Sequence, residues 1–435
     1  MSHYKNKITF ECLMIQRLRN NRFVKNVSLL LSGNVLGQLI PIAASLVITR
    51  LYSPNDFAVL AYFLTITGII SVVAGGRYEL AIMLPKEDNK ANALYLLSLI
   101  FTLLFSSFVF ILCIFFGEEF ALLFNAIELI RFIYLIPVSI LLVGFYQAAN
   151  FYSNRYSKYK LMSGTLVTRS VFTASTNISL GFLRLFPGGL IVGALVGQFI
   201  AAIMLSWISL KKLFKDLPSK GELKDVLVEY KEFPLKNGTS IFCNLLGNQV
   251  PILMIGYLFQ NNDIVGWYAL VLRVLNLPLM TVGKSVSQVF YQETNQAKGI
   301  NHQSLFKKTS TALFLIIIAP AILLLLFGPD LFEFAFGEIW YQAGFYAQIF
   351  IFFYVVRFIF SSQSTLLISA RRLKTELIFN FSFFFFQIIS VFIGYQMGNY
   401  EYSFIFMSIT GFLHFLILGK ILWSCSIQMD NEKIS

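Results

Sequence analysis

Four arginines, Arg77, Arg169, Arg273 and Arg357, lie deep inside long apolar stretches, and Glu79 is the carboxylate at comparable depth. An ionisable side chain away from the ends of such a stretch is costly to bury, which makes each a candidate functional residue. A guanidinium is planar and donates two parallel hydrogen bonds, a geometry that suits phosphate and carboxylate oxygens. Four cations against one carboxylate therefore point to an anion as the ligand. The competing explanation is structural pairing with backbone carbonyls, polar side chains or Glu79, which serves any one arginine better than all four together. Lys236, Lys284 and Lys420 sit nearer the ends of their stretches, where long side chains snorkel. Arg131 stands three residues from Glu128, the spacing of a local helical ion pair. His414 reads as a packed helix histidine.

Signatures of other chemistries are weak. Gly283-Lys284-Ser285 resembles the end of a phosphate loop, but Pro278 occupies the position of the required earlier glycine. The three histidines are dispersed, and the four cysteines (Cys12, Cys113, Cys243, Cys425) show no paired spacing. No metal or cofactor is expected.

The elements that must position the arginines follow from composition. The 435 residues are 57% hydrophobic and 13% charged, against about a quarter charged in an ordinary soluble domain. The formal charge of +12 comes from short basic clusters between apolar runs, a pattern of membrane loops, so nucleic acid is set aside as a partner. Runs long enough to span about 30 Å of hydrocarbon occur at 27–49, 57–84, 92–116, 127–148, 161–183, 187–210, 235–259, 264–290, 309–327, 341–366, 375–396 and 402–424. The expectation is an all-α polytopic membrane protein with about twelve transmembrane helices. The first run reads as an uncleaved helix and not as a signal peptide. Lys and Arg crowd the first 26 residues, the 211–234 linker and alternate loops, while the intervening loops hold only Arg50 and Arg184. That asymmetry puts both termini in the cytoplasm.

The chain also echoes itself. Asn34-Val-Leu-Gly37-Gln-Leu-Ile-Pro41-Ile in the first run returns as Asn244-Leu-Leu-Gly247-Asn-Gln-Val-Pro251-Ile in the seventh. Gln147, Arg155 and Lys158 recur at the same spacing as Gln363, Arg371 and Lys374. Both echoes are separated by about half the chain, which favours two six-helix lobes related by a parallel repeat, facing each other across a central site. The expected division is a cytoplasmic segment 1–26, an N-lobe 27–210, a cytoplasmic linker 211–234, a C-lobe 235–424 and a tail 425–435. Gly37, Pro41, Gly247 and Pro251 are candidate hinges, because glycine and proline loosen a membrane helix. Close packing at the glycines is the alternative and does not exclude a bend.

Ser32-Gly-Asn-Val-Leu-Gly-Gln, Leu51-Tyr-Ser-Pro-Asn-Asp-Phe57, Gly76-Arg77-Tyr78-Glu79-Leu-Ala-Ile-Met-Leu-Pro85 and Gly266-Trp-Tyr-Ala-Leu-Val-Leu-Arg273 resemble bacterial O-antigen flippases. These form the polysaccharide-exporter branch of the multidrug/oligosaccharidyl-lipid/polysaccharide superfamily. The resemblance implies a cationic cavity lined mainly by helices one, two, seven and eight, with Arg77 and Arg273 carrying over best as residues that hold a diphosphate. It implies an undecaprenyl-diphosphate-linked oligosaccharide moved between leaflets of the bacterial inner membrane, in contact with membrane lipid, and a polymerase and chain-length regulator as pathway partners. The rival readings are a cation antiporter of the multidrug and toxic compound extrusion kind, a lipid II flippase, and a membrane-embedded polysaccharide polymerase or ligase. The antiporter would need intramembrane carboxylates that the first and seventh runs lack. A polymerase or ligase would need catalytic groups on a large loop.

Overall fold

The structure, a computed structural model, describes residues 22–431 apart from 125, 232, 234–238, 297–300 and 371. Arg371 of the second echo, Lys236 and the basic residues before position 22 lie outside the described residues. The described chain is all-helical. Its first half contains α1 (Arg22–Leu51), α2 (Pro54–Ala74), α3 (Asp88–Leu123), α4 (Leu135–Arg155), α5 (Tyr159–Phe182) and α6 (Gly188–Leu213). A linker helix, Lys220–Glu229, leads to the second half. That half contains α7 (Thr239–Phe259), α8 (Asn262–Leu275), α9 (His302–Phe336), α10 (Tyr341–Ser361), α11 (Leu373–Gln396) and α12 (Tyr400–Asn431).

Ten of the described helices are long and apolar enough to cross a membrane, or eleven when the bent α8 and its continuation 279–295 count as one span. The difference from twelve has two physical causes. The fifth helix, α5, is rich in Ser and Thr and carries Arg169, so its composition falls short. Pro278 interrupts the eighth span, where a π-helical turn at Leu279–Gly283 follows a bend of 42°. Apolar side chains also face outward, among them Leu104, Phe115 and Phe116 on α3 and Leu315 and Leu326 on α9. Exposure on that scale marks a surface solvated by lipid. The chain is a multi-pass membrane protein.

Local chemistry starts the elements. Ser53 caps α2 by accepting from the Asp56 amide while the Asp56 carboxylate accepts from Ser53, and Pro54 takes the first helical position. Ser219 and Glu222 build the same box at the linker helix. That helix is fastened to α3 by Lys90 and Glu229 at 2.8 Å, and the bond from Lys90 holds the Glu229 carboxyl below its usual range. Arg155, at the end of α4, donates to the Ile82, Pro85 and Lys86 carbonyls and to Asp88. It thereby fixes the turn that leads into α3.

Packing repeats six helices on. In the first half α1 packs on α5, α5 on α6, α4 on α6, α3 on α4 and α2 on α4. In the second half α7 packs on α11, α11 on α12, α10 on α12, α9 on α10 and α8 on α10. The halves meet along α2 and α8.

They also meet at the end where α1 finishes. Arg50 donates to the Ala335 and Phe334 carbonyls at 2.8 and 3.0 Å, and the buried Trp340 indole donates to the Thr49 carbonyl at 2.9 Å. Phe57 meets the Trp340 ring edge-on at 4.8 Å, and the Tyr62 hydroxyl donates to Asn262 at 3.1 Å. Gly266 lies so close to Pro54 that a Cβ there would stand 1.9 Å from its carbonyl oxygen.

Candidate functional site

Between the halves lies a cavity of about 450 Å³. Its polar wall is built from Gln38 of α1, Thr65 of α2, Asn177 of α5, Asn248 of α7, and Arg273 and Asn276 at the end of α8. A second cavity of about 310 Å³ opens beside it in the first half, lined by Asn34, Arg169, Ser170 and Gln198. The two share Gln38, Pro41, Leu64, Thr173 and Ala194. A third, of about 340 Å³, lies in the second half around Arg357.

The first two cavities share their chemistry. Among the described residues the Arg273 side chain gives one hydrogen bond, from Nη2 to the Pro41 carbonyl at 2.9 Å. Its position follows from the break after α8: Asn276 folds back onto the Leu272 carbonyl at 2.8 Å, and Pro278 ends regular hydrogen bonding one turn beyond the arginine. Arg169 stands over the Tyr146 ring at 5.9 Å and makes no hydrogen bond among the described residues. Most of the donors on both guanidinium groups are thus unspent, and no carboxylate among the described residues lines either cavity. Such a space, with cationic forks and neutral amides and hydroxyls, is suited to a phosphate-bearing ligand.

Arg77 has a different setting. It follows Gly75 and Gly76 at the end of α2, with φ of 60° at both Gly76 and Arg77. Its guanidinium lies 3.8 Å from Glu79, and both side chains are buried. Arg77 lines none of these three cavities. Arg273 therefore lines the central cavity, and Arg169 the adjoining cavity that shares its wall. Glu128 departs from the expected pairing with Arg131: its carboxylate accepts from Asn55 at 3.3 Å, across to α2. His414 is packed on Phe379, with rings 4.2 Å apart, and bonds its carbonyl.

The helices named in the paired motif also find their places. Asn34 lines the first-half cavity and Asn244 the second-half one, while Gln38 and Asn248, each four residues further on, line the centre. Helices α1 and α7 run unbroken through Pro41 and Pro251. The carbonyl of Gly37, which Pro41 leaves without its helical amide, accepts instead from the Ser170 hydroxyl at 2.6 Å. Gly37 packs on Leu166, and a Cβ at Gly247 would stand 2.8 Å from the Phe383 ring. Arg169 of α5 and Arg357 of α10 stand among the residues expected from the sequence, whereas Gln198 of α6 and Glu376 of α11 do not.

This architecture defines an all-helical multi-pass membrane protein whose two halves enclose an arginine-bearing cavity with a polar wall set among apolar side chains. The chain belongs to the family described as "polysaccharide biosynthesis protein", whose model matches residues 47–345, more than half its length. No curated protein matches it. Among solved structures it resembles the lipid II flippase MurJ in an inward closed conformation, at 14% identity and TM-score 0.73, covering 90% of this chain and 86% of that one. It also resembles a multidrug resistance MATE family transporter of the MOP superfamily. The inward-facing form of such a transporter gives a TM-score of 0.72 at 15% identity, covering 92% of this chain and 99% of that one. An outward-facing MATE family structure gives 0.55 at 15% identity, covering 92% and 96%. The fold is the one these MATE family and MurJ structures share, and the TM-score is higher to the inward-facing and inward closed forms than to the outward-facing one.

Proposed function

We propose that the protein is a flippase that carries an undecaprenyl-diphosphate-linked O-antigen-type oligosaccharide from the cytoplasmic to the periplasmic leaflet of the bacterial inner membrane. The observation that carries this reading is the pair of guanidinium groups, Arg169 and Arg273, whose donors are mostly unspent among the described residues and which line cavities with shared walls and no carboxylate in their described lining. They hold the diphosphate, the lipid chain remains in the bilayer, and the two halves rock so that the cavity opens to alternate sides. The matching packing of α1–α6 and α7–α12, and the matching places of Asn34 and Asn244, support a two-lobe repeat. With the basic loops in the cytoplasm, the closed end at Arg50 and Trp340 faces the periplasm. An inside-negative potential favours outward movement of an anion by about 2.3 kcal/mol per charge per 100 mV.

The test is flipping of lipid-linked oligosaccharide in proteoliposomes. Arg169→Gln together with Arg273→Gln abolishes transport, with folding checked by thermal melting. Retained transport overturns the anion site. A cation antiporter is the second reading, since the fold is shared with multidrug transporters. Drug efflux without any effect on glycan flipping would favour it, against the lack of carboxylates in the described central wall.

A further inference from the structure

The third cavity differs from the other two in its charge. Arg357 projects into it from α10 and Glu376 from the first turn of α11. The Arg357 guanidinium lies over the rings of Phe353, Tyr354 and Phe415 at 5.7, 5.4 and 5.8 Å and makes no hydrogen bond among the described residues. Its Nε is buried without a partner. The Glu376 carboxylate likewise has no hydrogen bond or ion pair among the described residues, so the two charges share a cavity without meeting. Asn244, Asn380, Ser361 and Ser364 complete the polar lining.

A guanidinium only donates and a carboxylate only accepts. A simple anion entering here would be repelled by Glu376, and a simple cation by Arg357. A neutral polyhydroxyl ligand satisfies both, because each hydroxyl donates and accepts, and Phe379 and Phe415 offer rings to its C–H faces. The volume is in the usual range for small-molecule pockets, roughly 300–1,000 Å³.

The cavity is also joined to the centre. Asn248 of the central wall donates to Asn244, one helical turn away, and Asn244 donates to Asn380 at 2.9 Å. Tyr354 of the central wall is one turn from Arg357.

We infer that this second-half cavity is a saccharide subsite. It takes an uncharged sugar of the lipid-linked glycan, while Arg169 and Arg273 take the diphosphate. The inference rests on the function proposed above.

Two probes separate them: undecaprenyl diphosphate, and the same lipid carrying a neutral trisaccharide, each titrated onto the full-length protein in detergent. The wild type binds the glycosylated probe more tightly. Glu376→Ala and, independently, Ser364→Ala reduce that affinity by about tenfold, towards the bare-lipid value. Both leave bare-lipid affinity unchanged, which also shows that the variants fold. Arg273→Gln weakens both probes. Equal affinity of the wild type for the two probes, or undiminished affinity in both second-half variants, overturns the subsite while the diphosphate site stands. Absence of bare-lipid binding, or its indifference to Arg273→Gln, overturns the proposed function and the subsite with it.

Discussion

Arg77 and Glu79 illustrate how an intramembrane charge acquires its meaning from its neighbours. The Gly75-Gly76-Arg77 turn carries Arg77 into the left-handed region, where a side chain other than glycine is rare. A Cβ at Gly75 would stand 2.6 Å from the Glu79 carboxylate and 2.9 Å from the Ser98 hydroxyl, so a larger residue here must displace both side chains. Arg77 is thus held by the turn and balanced by Glu79, 3.8 Å away. Arg77→Gln leaves a buried carboxylate without its partner, a loss of about 1–3 kcal/mol, read as a lower melting temperature in detergent. Arg77→Gln with Glu79→Gln regains much of it, as expected when the first variant's defect is the orphaned charge. Diphosphate affinity stays at the wild-type value in the double variant. Its loss there would assign Arg77 to the ligand.

Among the elements, α1 shows how a membrane helix tolerates proline. Pro41 removes the amide that would bond the Gly37 carbonyl, and Ser170 of α5 supplies the missing donor across a close crossing made possible by Gly37. The Pro41 carbonyl in turn accepts from Arg273 of the other half. One proline therefore ties α1 both to its own half and to the partner half. Ser170→Ala costs about 1 kcal/mol in the wild type. In the Pro41→Ala background the cost falls towards zero, because the backbone amide restored by that substitution donates to the Gly37 carbonyl itself. A double-mutant cycle on thermal or denaturant unfolding measures the coupling, and additivity would show that Ser170 acts elsewhere.

For the whole molecule, the decisive feature is the closure at the Arg50 end. Each of the two Arg50 bonds contributes about 1 kcal/mol, so Arg50→Ala shifts the balance between closed and open forms by about tenfold or more. Gly266→Ala acts by sterics, since its Cβ meets the Pro54 backbone and cannot be accommodated by a rotamer change. Both variants are expected to open this end. The check is labelling of a cysteine at Phe57, in the central wall beside the seal, by a membrane-impermeant maleimide in an otherwise cysteine-free chain. Faster labelling from the side that the Arg50 end faces is the expected result. Unchanged labelling in both variants would show that these contacts do not hold the closure.

Composition and run length were enough to read an all-helical membrane protein, because the cost of burying a polar backbone in hydrocarbon acts on each segment separately. The sign of the site was legible for the same reason: deep arginines outnumber deep carboxylates in any arrangement of the helices. The partnership among them was not legible. Whether Arg77 or Arg169 joins Arg273 depends on the rotation of each helix about its axis and on how closely its neighbours approach. Those are set by side chains far apart in the chain, such as Gly37 against Leu166 and Gly247 against Phe383. Only the tertiary structure decided that Arg77 turns to Glu79, that Arg169 and Arg273 face cavities with shared walls, and that Arg357 shares its own with Glu376.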